Sequence, residues 1–277
     1  MPPCLITKSD GGSIYHSRDI AAVLYRKEQY HFDKCIYVTG LEQSLHFKQV
    51  FKAIEVMGYD WADGLVHVPY GLVSLAGEKL SSRNGNVIYA EDILKEAIER
   101  AHHAITEKNP DLEKKEEVAR MVGVGAVIFH DLFNQRIKNV DFSWKEVLNF
   151  DGKTGPYIQY AIARINSILR KADSAGLHAG KIMIESDDER NLALKLAQFE
   201  NIIMRAYAGK EPSIITDYAY TLAQVFSNFY NTCPIMTAEN KQIAASRLKL
   251  AALVRDMLKK LLTLLGIESP EVMLKAN

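Results

Sequence analysis

Cys35-Ile36-Tyr37-Val38-Thr39-Gly40 is a short run of apolar, β-branched and aromatic residues closed by a glycine. Its length and composition suit a β-strand. The stretch after it places Leu45, Val50, Phe51, Ile54 and Met57 on one side of a helix that Gly58 should stop. Leu65-Val66-His67-Val68-Pro69-Tyr70 reads as the next strand. Upstream, Leu5-Ile6-Thr7 reads as a short buried strand running into the turn Lys8-Ser9-Asp10-Gly11-Gly12. A helix then begins within Ser13 to Ala22, with Ile20, Val23 and Leu24 on its inner face. Strand, helix, strand, helix, strand is α/β order and predicts a parallel sheet. Ligands of such sheets sit at the carboxyl ends of the strands, here Ser9 to Tyr15 and Thr39 to Gln43.

Composition narrows the class. The 277 residues are 48% hydrophobic, enough for a sizeable core or two domains. Lys and Arg total 34 and so do Asp and Glu, so any surface for nucleic acid must be local. Cys4, Cys35 and Cys233 are far apart without a Cys-x-x-Cys pair, which argues against a disulfide scaffold or a zinc ribbon and fits a reducing cytosol. No apolar run reaches the length of a membrane span, and Met1-Pro2-Pro3-Cys4 has no signal-segment character. The expectation is a cytoplasmic protein with no membrane association. Ala101-His102-His103 lacks metal-ligand spacing, and no His-Glu-x-x-His occurs, so no protein-bound metal is assigned.

Beyond the third strand lies Gly77-Glu78-Lys79-Leu80-Ser81-Ser82-Arg83-Asn84-Gly85-Asn86-Val87. Two glycines flank two cations and two adjacent hydroxyls. Such a loop can cover a polyphosphate, with hydroxyls and amides donating to oxygens and a cation neutralising the departing pyrophosphate. An exposed polar turn has the same composition.

From Glu91 to Leu132 the pattern is helical, broken at Asn109-Pro110-Asp111, and Glu113 to Glu117 reads as a solvated face. An irregular or extended connection follows from Asn134 to Trp144. Asp151 to Pro156 is a turn, with Pro156 in the first turn of a helix that carries Tyr157, Tyr160 and Arg164. These three recur at helical spacing on one face. Two rings beside a guanidinium can stack unpaired bases and meet phosphate; a tyrosine-lined core edge gives the same pattern. After a linker-like segment from Gly176 to Ser186, three amphipathic helices are expected. The first buries Leu192, Leu196, Phe199, Ile203 and Ala206; the second holds Ile215 to Phe229; the last runs from about Arg247 to Leu265. This spacing is that of a bundle core.

Several of these segments together resemble arginyl-tRNA synthetases, class I aminoacyl-tRNA synthetases. Ser9-Asp10-Gly11, then Ser13-x-Tyr15-x-x-Arg18-Asp19-x-Ala21, is similar to the family's arginine-binding segment. The Gly77–Val87 loop resembles the Lys-Met-Ser-Lys-Ser signature in this family's form. Lys79 matches its first lysine, Leu80 replaces the usual Met, and Asn84 stands where a cation is common. Thr154-Gly155-Pro156-Tyr157-Ile158-Gln159-Tyr160-Ala161 with Arg164 resembles the opening of the family's anticodon-binding bundle. Leu264 to Met273 looks like its carboxyl end, followed here by Leu274-Lys275-Ala276-Asn277.

The resemblance implies residues 1–92 as the carboxyl-terminal part of a Rossmann-type catalytic domain, 93–145 as a helical connector, and 146–277 as an α-helical anticodon-binding domain. It implies arginine contacts from Tyr15, Asp19 and Gln43. It implies ATP contacts from His46, Lys79, Ser81 and Arg83, with Lys79, Ser81, Ser82 and Arg83 as the catalytic loop, and an anticodon surface of Tyr157, Tyr160 and Arg164. The residues alone leave Asp19 open as a salt-bridge partner of Arg18 or Arg26, and His46 as a part-exposed helix histidine. The implied partners are tRNA(Arg), arginine and ATP, with Mg2+ carried by ATP; intact family members are mostly monomeric. None of the eight histidines forms a His-x-x-His pair, so the family's His-Ile-Gly-His signature is missing. The expectation is therefore the carboxyl-terminal half of an arginine–tRNA ligase, inactive alone. A stand-alone non-catalytic tRNA-binding relative and a helical interaction module remain the alternatives.

Overall fold

Parallel pairing of the two expected strands organises the first part of the computed structural model, which describes residues 1–75, 78–79 and 89–273. Its contacts divide the chain into two units: 1–72 with 136–139, and 73–135 with 140–277.

In the first unit, α1 (Tyr15–Tyr30) precedes β1 (Cys35–Gly40), a 3-10 turn (Leu41–Gln43), α2 (Ser44–Val56), a second 3-10 segment (Asp60–Gly64) and β2 (Leu65–Tyr70). β1 and β2 are parallel, in register from Cys35↔Leu65 to Gly40↔Tyr70. α2 is the crossover such a pair requires. It ends where Gly58 takes φ +87°, the left-handed turn in which the Tyr59 N–H returns to the Ile54 carbonyl. Val23 from α1, Phe47 and Ile54 from α2, and Tyr37 and Leu65 from the strands form the core. Leu5-Ile6-Thr7 is not the buried strand its composition suggests. Thr7 makes an isolated antiparallel bridge to Ser13, and Leu5 and Ile6 are exposed. The hydrogen bonds here close the local turn Lys8–Gly12, and among the described residues no strand lies alongside.

The second unit begins with a small sheet of β3 (Val73–Leu75), β4 (Glu78–Lys79) and β5 (Val140–Phe142), in the order β4-β3-β5. α3 (Ala90–Lys108) and α4 (Lys115–Phe133) form a helical hairpin, followed later by the short α5 (Trp144–Val147). α3 and α4 approach closely at Gly123, where a Cβ would lie 2.7 Å from Ala97 backbone atoms. The bundle is α6 (Gly155–Ser174), α7 (Asp187–Ala197), α8 (Phe199–Gly209), α9 (Ser213–Thr232) and α10 (Lys241–Leu264). Its core includes Ile158, Ile162, Ile165, Leu222, Phe226, Val254 and Leu258. The mixed class is as expected: α/β, then all-α.

Two boundaries differ from the sequence pattern. The apolar run from Leu192 to Ala206 is two helices, α7 and α8. At Gln198 the N–H turns to Lys195 and Leu196, tightening the chain for one residue without breaking the apolar face. α10 starts at Lys241 rather than near Arg247, because the Asn240 side chain accepts from the Gln242 and Ile243 N–H groups and caps a first turn that carries little apolar signal.

The linker-like segment before α7 lies pinned along α10. Ser246 Oγ exchanges bonds with the Met183 N–H and carbonyl at 2.8 and 2.9 Å. Ser186 caps α7 and Glu189 returns to the Glu185 and Ser186 N–H groups. Glu189 is fully buried and also meets Arg247 at 2.6 Å, whose Nη1 donates to the Pro234 carbonyl. Arg247→Met would leave a buried carboxylate without its cation. We expect a loss of about 3–5 kcal/mol, read from urea unfolding. Glu189→Gln together with Arg247→Met should recover part of that loss, because the uncompensated charge is removed.

Candidate active site and nucleic-acid interface

In the first unit the site grows from the start of α1 and the carboxyl end of β1. Tyr15 opens α1 and is exposed, and Asp19 follows one turn later. Gln43 is exposed at the end of the 3-10 turn that leaves β1. His46 lies in the first turn of α2, and its Nε2 meets Asp19 Oδ2 at 2.6 Å, with the two side chains 20% and 33% exposed. An ionised carboxylate only accepts, so the imidazole carries its proton on Nε2. This bond fixes one carboxylate oxygen of Asp19. Neither arginine considered as a partner of Asp19 takes that place: Arg18 donates to Ser13 Oγ and Arg26 to the Tyr37 hydroxyl, each at 3.1 Å.

A second layer backs this pair, and sequence reasoning missed it. His16 Nε2 lies 3.0 Å from Gln49 Oε1, and the Gln49 amide donates to the Pro2 and Pro3 carbonyls at 3.1 Å each. With the amide nitrogen committed, Oε1 must accept, so His16 also carries its proton on Nε2. The His16 and His46 rings stand 4.4 Å apart. The available signal was a matched spacing: His16 precedes Asp19, and His46 precedes Gln49, by three residues on facing helices. Across the strands, Thr39 Oγ1 meets His67 Nε2 at 2.9 Å, and burial, then the Arg136 charge, holds the His67 imidazole below its usual pKa. Lys79 falls in β4; Ser81, Ser82 and Arg83 lie outside the described residues.

In the second unit the surface is built on α6. Thr154 caps it by accepting from the Tyr157 N–H, and Pro156 occupies the first turn, where its missing N–H costs nothing. Tyr157, Tyr160 and Arg164 share one side of the helix, yet their tips part. The Tyr157 ring sits 5.3 Å from that of Tyr220, and burial raises its phenol pKa. Tyr160 packs beside the cluster of Ala101, Ile105, Val118 and Met273. Arg164 lies 4.4 Å over the Tyr230 ring. Tyr160 and Arg164 line a cavity of about 630 Å³, together with Lys114, Ser167, Arg170 and Met273. Lys114 and Arg170 bring further cations to the lining, and Asp111, Glu113, Glu117 and Glu271 bring carboxylates, with Lys114 paired to Glu117; sequence reasoning left Lys114 in a solvated run.

One wall of this cavity is the chain after α10. Gly266, at φ +73°, turns the backbone so that the Ile267 N–H reaches the Leu262 carbonyl. The segment then crosses α4 and α6. Arg120 grips Glu268 with two bonds of 3.0 and 2.9 Å, holding that carboxyl below its usual pKa. Asn166 donates to Glu271, Lys259 pairs with the same carboxylate, and Asn109 reaches the Met273 carbonyl. The Tyr160 face with the Arg164 and Arg170 guanidiniums in this open slot can meet an unstacked base and a phosphate, and carboxylates occupy other parts of the lining. Among the described residues no cluster of His, Cys, Asp and Glu is able to hold a metal ion, and no helix is long and apolar enough to cross a membrane.

Residues 1–144 match the family model for the catalytic domain of class I (R) tRNA synthetases, and residues 158–273 match that for the DALR anticodon binding domain. The chain is 48% identical over 273 residues to an arginine–tRNA ligase of Clostridium botulinum, covering 99% of this chain and 48% of the relative. The corresponding ligase of Clostridium perfringens is 46% identical over 275 residues, with 99% and 49% covered. Among solved structures, the arginyl-tRNA synthetase of Thermus thermophilus superposes with a TM-score of 0.86 at 31% identity, over 98% of this chain and 52% of that one. That of Plasmodium falciparum gives 0.83 at 28% identity, over 97% and 46%. The chain thus spans about half the length of the curated relatives it matches. With one family model covering just over half of it and a second covering most of the remainder, the chain belongs to the arginyl-tRNA synthetase family of class I.

Proposed function

We propose that this chain supplies the arginine-recognition and anticodon-recognition parts of an arginine–tRNA ligase. In that reaction the arginine carboxylate displaces pyrophosphate from the α-phosphate of ATP. The terminal ribose hydroxyl of tRNA(Arg) then displaces AMP. The observation that carries this reading is Asp19: a part-buried carboxylate, oriented by His46 and one helical turn from an exposed tyrosine. A guanidinium is a rigid planar fork that wants a fixed acceptor beside further polar groups, which Tyr15 and Gln43 supply. His46 then has two duties, orienting Asp19 and facing the adenosine end. Lys79, Ser81, Ser82 and Arg83 are assigned to the phosphates of ATP, which bring their own Mg2+. Tyr160 and Arg164, with Tyr157 behind them, are assigned to the anticodon. In domain terms, 1–92 belongs to catalysis, 93–145 connects, and 146–277 reads tRNA.

The chain alone is proposed to lack catalytic competence. Its sequence has no His-x-x-His pair to stabilise charge developing on ATP, and substrate contacts without that preorganised charge leave the barrier high. We expect no arginine-dependent exchange of pyrophosphate into ATP. Exchange on the order of 1–10³ s⁻¹, as in ordinary enzymes, would show that the adenylation machinery is built from other residues.

Arginine should still bind, weakly, and lysine less well, because an ammonium cannot span the planar acceptors. Asp19→Asn should abolish that preference in calorimetric titrations, and His46→Ala should weaken arginine binding by freeing the carboxylate. Equal binding of both amino acids to the parent chain would remove Asp19 from the assignment.

The cavity on α6 also supports tRNA binding without catalysis, the second reading. Cognate tRNA should bind, with affinity falling as salt rises through counterion release. Tyr160→Ala should cost about 1–3 kcal/mol where a base stacks on the ring, and Arg164→Ala should weaken binding as well. The measurement is a titration of tRNA(Arg) against a non-cognate tRNA at fixed salt, with circular dichroism showing each variant folded. Parent-like binding by both folded variants would leave only a helical interaction module.

A further inference from the structure

His16 is tied to two groups at once. It lies in the first turn of α1, half-buried, with Nε2 3.0 Å from Gln49 Oε1. Gln49 is only 7% exposed, and its amide is committed to the Pro2 and Pro3 carbonyls. Its Oε1 is thereby held in place, and so is the imidazole that donates to it. The His16 ring also stands against that of His46, with centroids 4.4 Å apart and planes tilted by 50°. Phe47 meets the His46 ring edge-on at 5.1 Å. A histidine side chain swings about two torsions unless packing stops it. The bond to Asp19 holds one atom of the His46 ring, and the neighbouring rings decide whether that orientation is kept.

We infer that His16 is a positioning residue for arginine recognition: its ring keeps the His46 imidazole turned so that Nε2–H points at Asp19. Gln49 supports His16 from behind and anchors it to the segment before α1. The contacts run from Gln49 on α2 to His16 on α1, back to His46 on α2 and on to Asp19 on α1. Each step crosses between the helices, so the carboxylate is oriented by their packing and not by its own helix alone. His16 acts through His46 and has no role of its own toward substrate. The inference rests on the reading of Asp19 as the acceptor for the arginine guanidinium. It adds the residue that keeps the donor to that carboxylate in place.

The test is proton NMR of the full chain labelled with 15N-histidine. A free imidazole N–H exchanges with water too fast to be seen, whereas one held in a hydrogen bond persists. The parent should show a persistent, downfield His46 Nε2–H signal, assigned by its loss in His46→Ala. His16→Ala, shown folded by circular dichroism, should lose that signal. His16→Ser, with a side chain that suits the start of a helix, repeats the truncation independently. His16→Phe restores a flat ring and should bring the signal back. In calorimetric titrations arginine should bind about tenfold more weakly to the truncated variants, as for a lost hydrogen bond, and close to parent affinity to His16→Phe. Three outcomes would overturn the inference: no such signal in the parent, a signal that survives truncation of His16, or a loss that phenylalanine does not restore. A parent that binds arginine no better than lysine, while the His46 signal follows His16 as expected, would remove Asp19 from arginine recognition and leave His16 as the residue that orients His46.

Discussion

Gln159 holds the second unit together at its tightest point. Its side chain is fully buried, and its amide donates to the Met121 carbonyl of α4 at 2.9 Å and to the Glu268 carbonyl beyond α10 at 2.7 Å. This works only because α4 and α6 cross at two glycines: a Cβ on Gly125 would strike the Gln159 amide, and one on Gly155 would strike the Gly125 carbonyl. A buried amide left without partners costs about 1–3 kcal/mol. The crossing, the amide and the returning segment therefore stand or fall together, and with them the wall of the cavity that Tyr160 and Arg164 line.

The first unit turns on a side-chain contact between its two helices. Asp19 is kept by an imidazole rather than by an arginine or lysine. The imidazole donates one bond, from Nε2, to one carboxylate oxygen. The neighbouring His16, held by Gln49, whose amide donates to the Pro2 and Pro3 carbonyls, sets one side of the space in which the His46 ring rests. Three side chains on two helices, His46, His16 and Gln49, thus stand behind one carboxylate.

Much of the fold was legible because burial imposes periodicity. β1, α2 and β2 follow from alternation and 3.6-residue spacing, and Gly58 and Gly266 mark helix ends through their left-handed backbone. The false strand at Leu5-Ile6-Thr7 shows the limit of that rule: two apolar residues and a threonine say nothing of whether a neighbouring strand is there to pair. The α7–α8 break was invisible because the apolar face continues through Gln198. At the sites, residue types could be assigned but their partners could not. Asp19 and His46 meet across 27 positions, a contact set by how α1 packs on α2. The spacing of Tyr157, Tyr160 and Arg164 placed them on one face without revealing that Tyr157 leans on Tyr220. The glycine-bracketed loop after β3 remains a reading of sequence, since Ser81, Ser82 and Arg83 lie outside the described residues.

The segment from Ile267 to Met273 has an unusual standing for a stretch without helix or strand. Ile267 is buried in the bundle core, and Met273 in the separate cluster formed with the α3–α4 hairpin. Peeling it back would open two hydrophobic clusters at once and strip Arg120, Gln159 and Asn166 of their partners. Its opening free energy then belongs with that of the bundle, not with that of a fraying tail. A ligand seated against it meets a wall already rigid before binding, so little conformational entropy is lost in forming the contact.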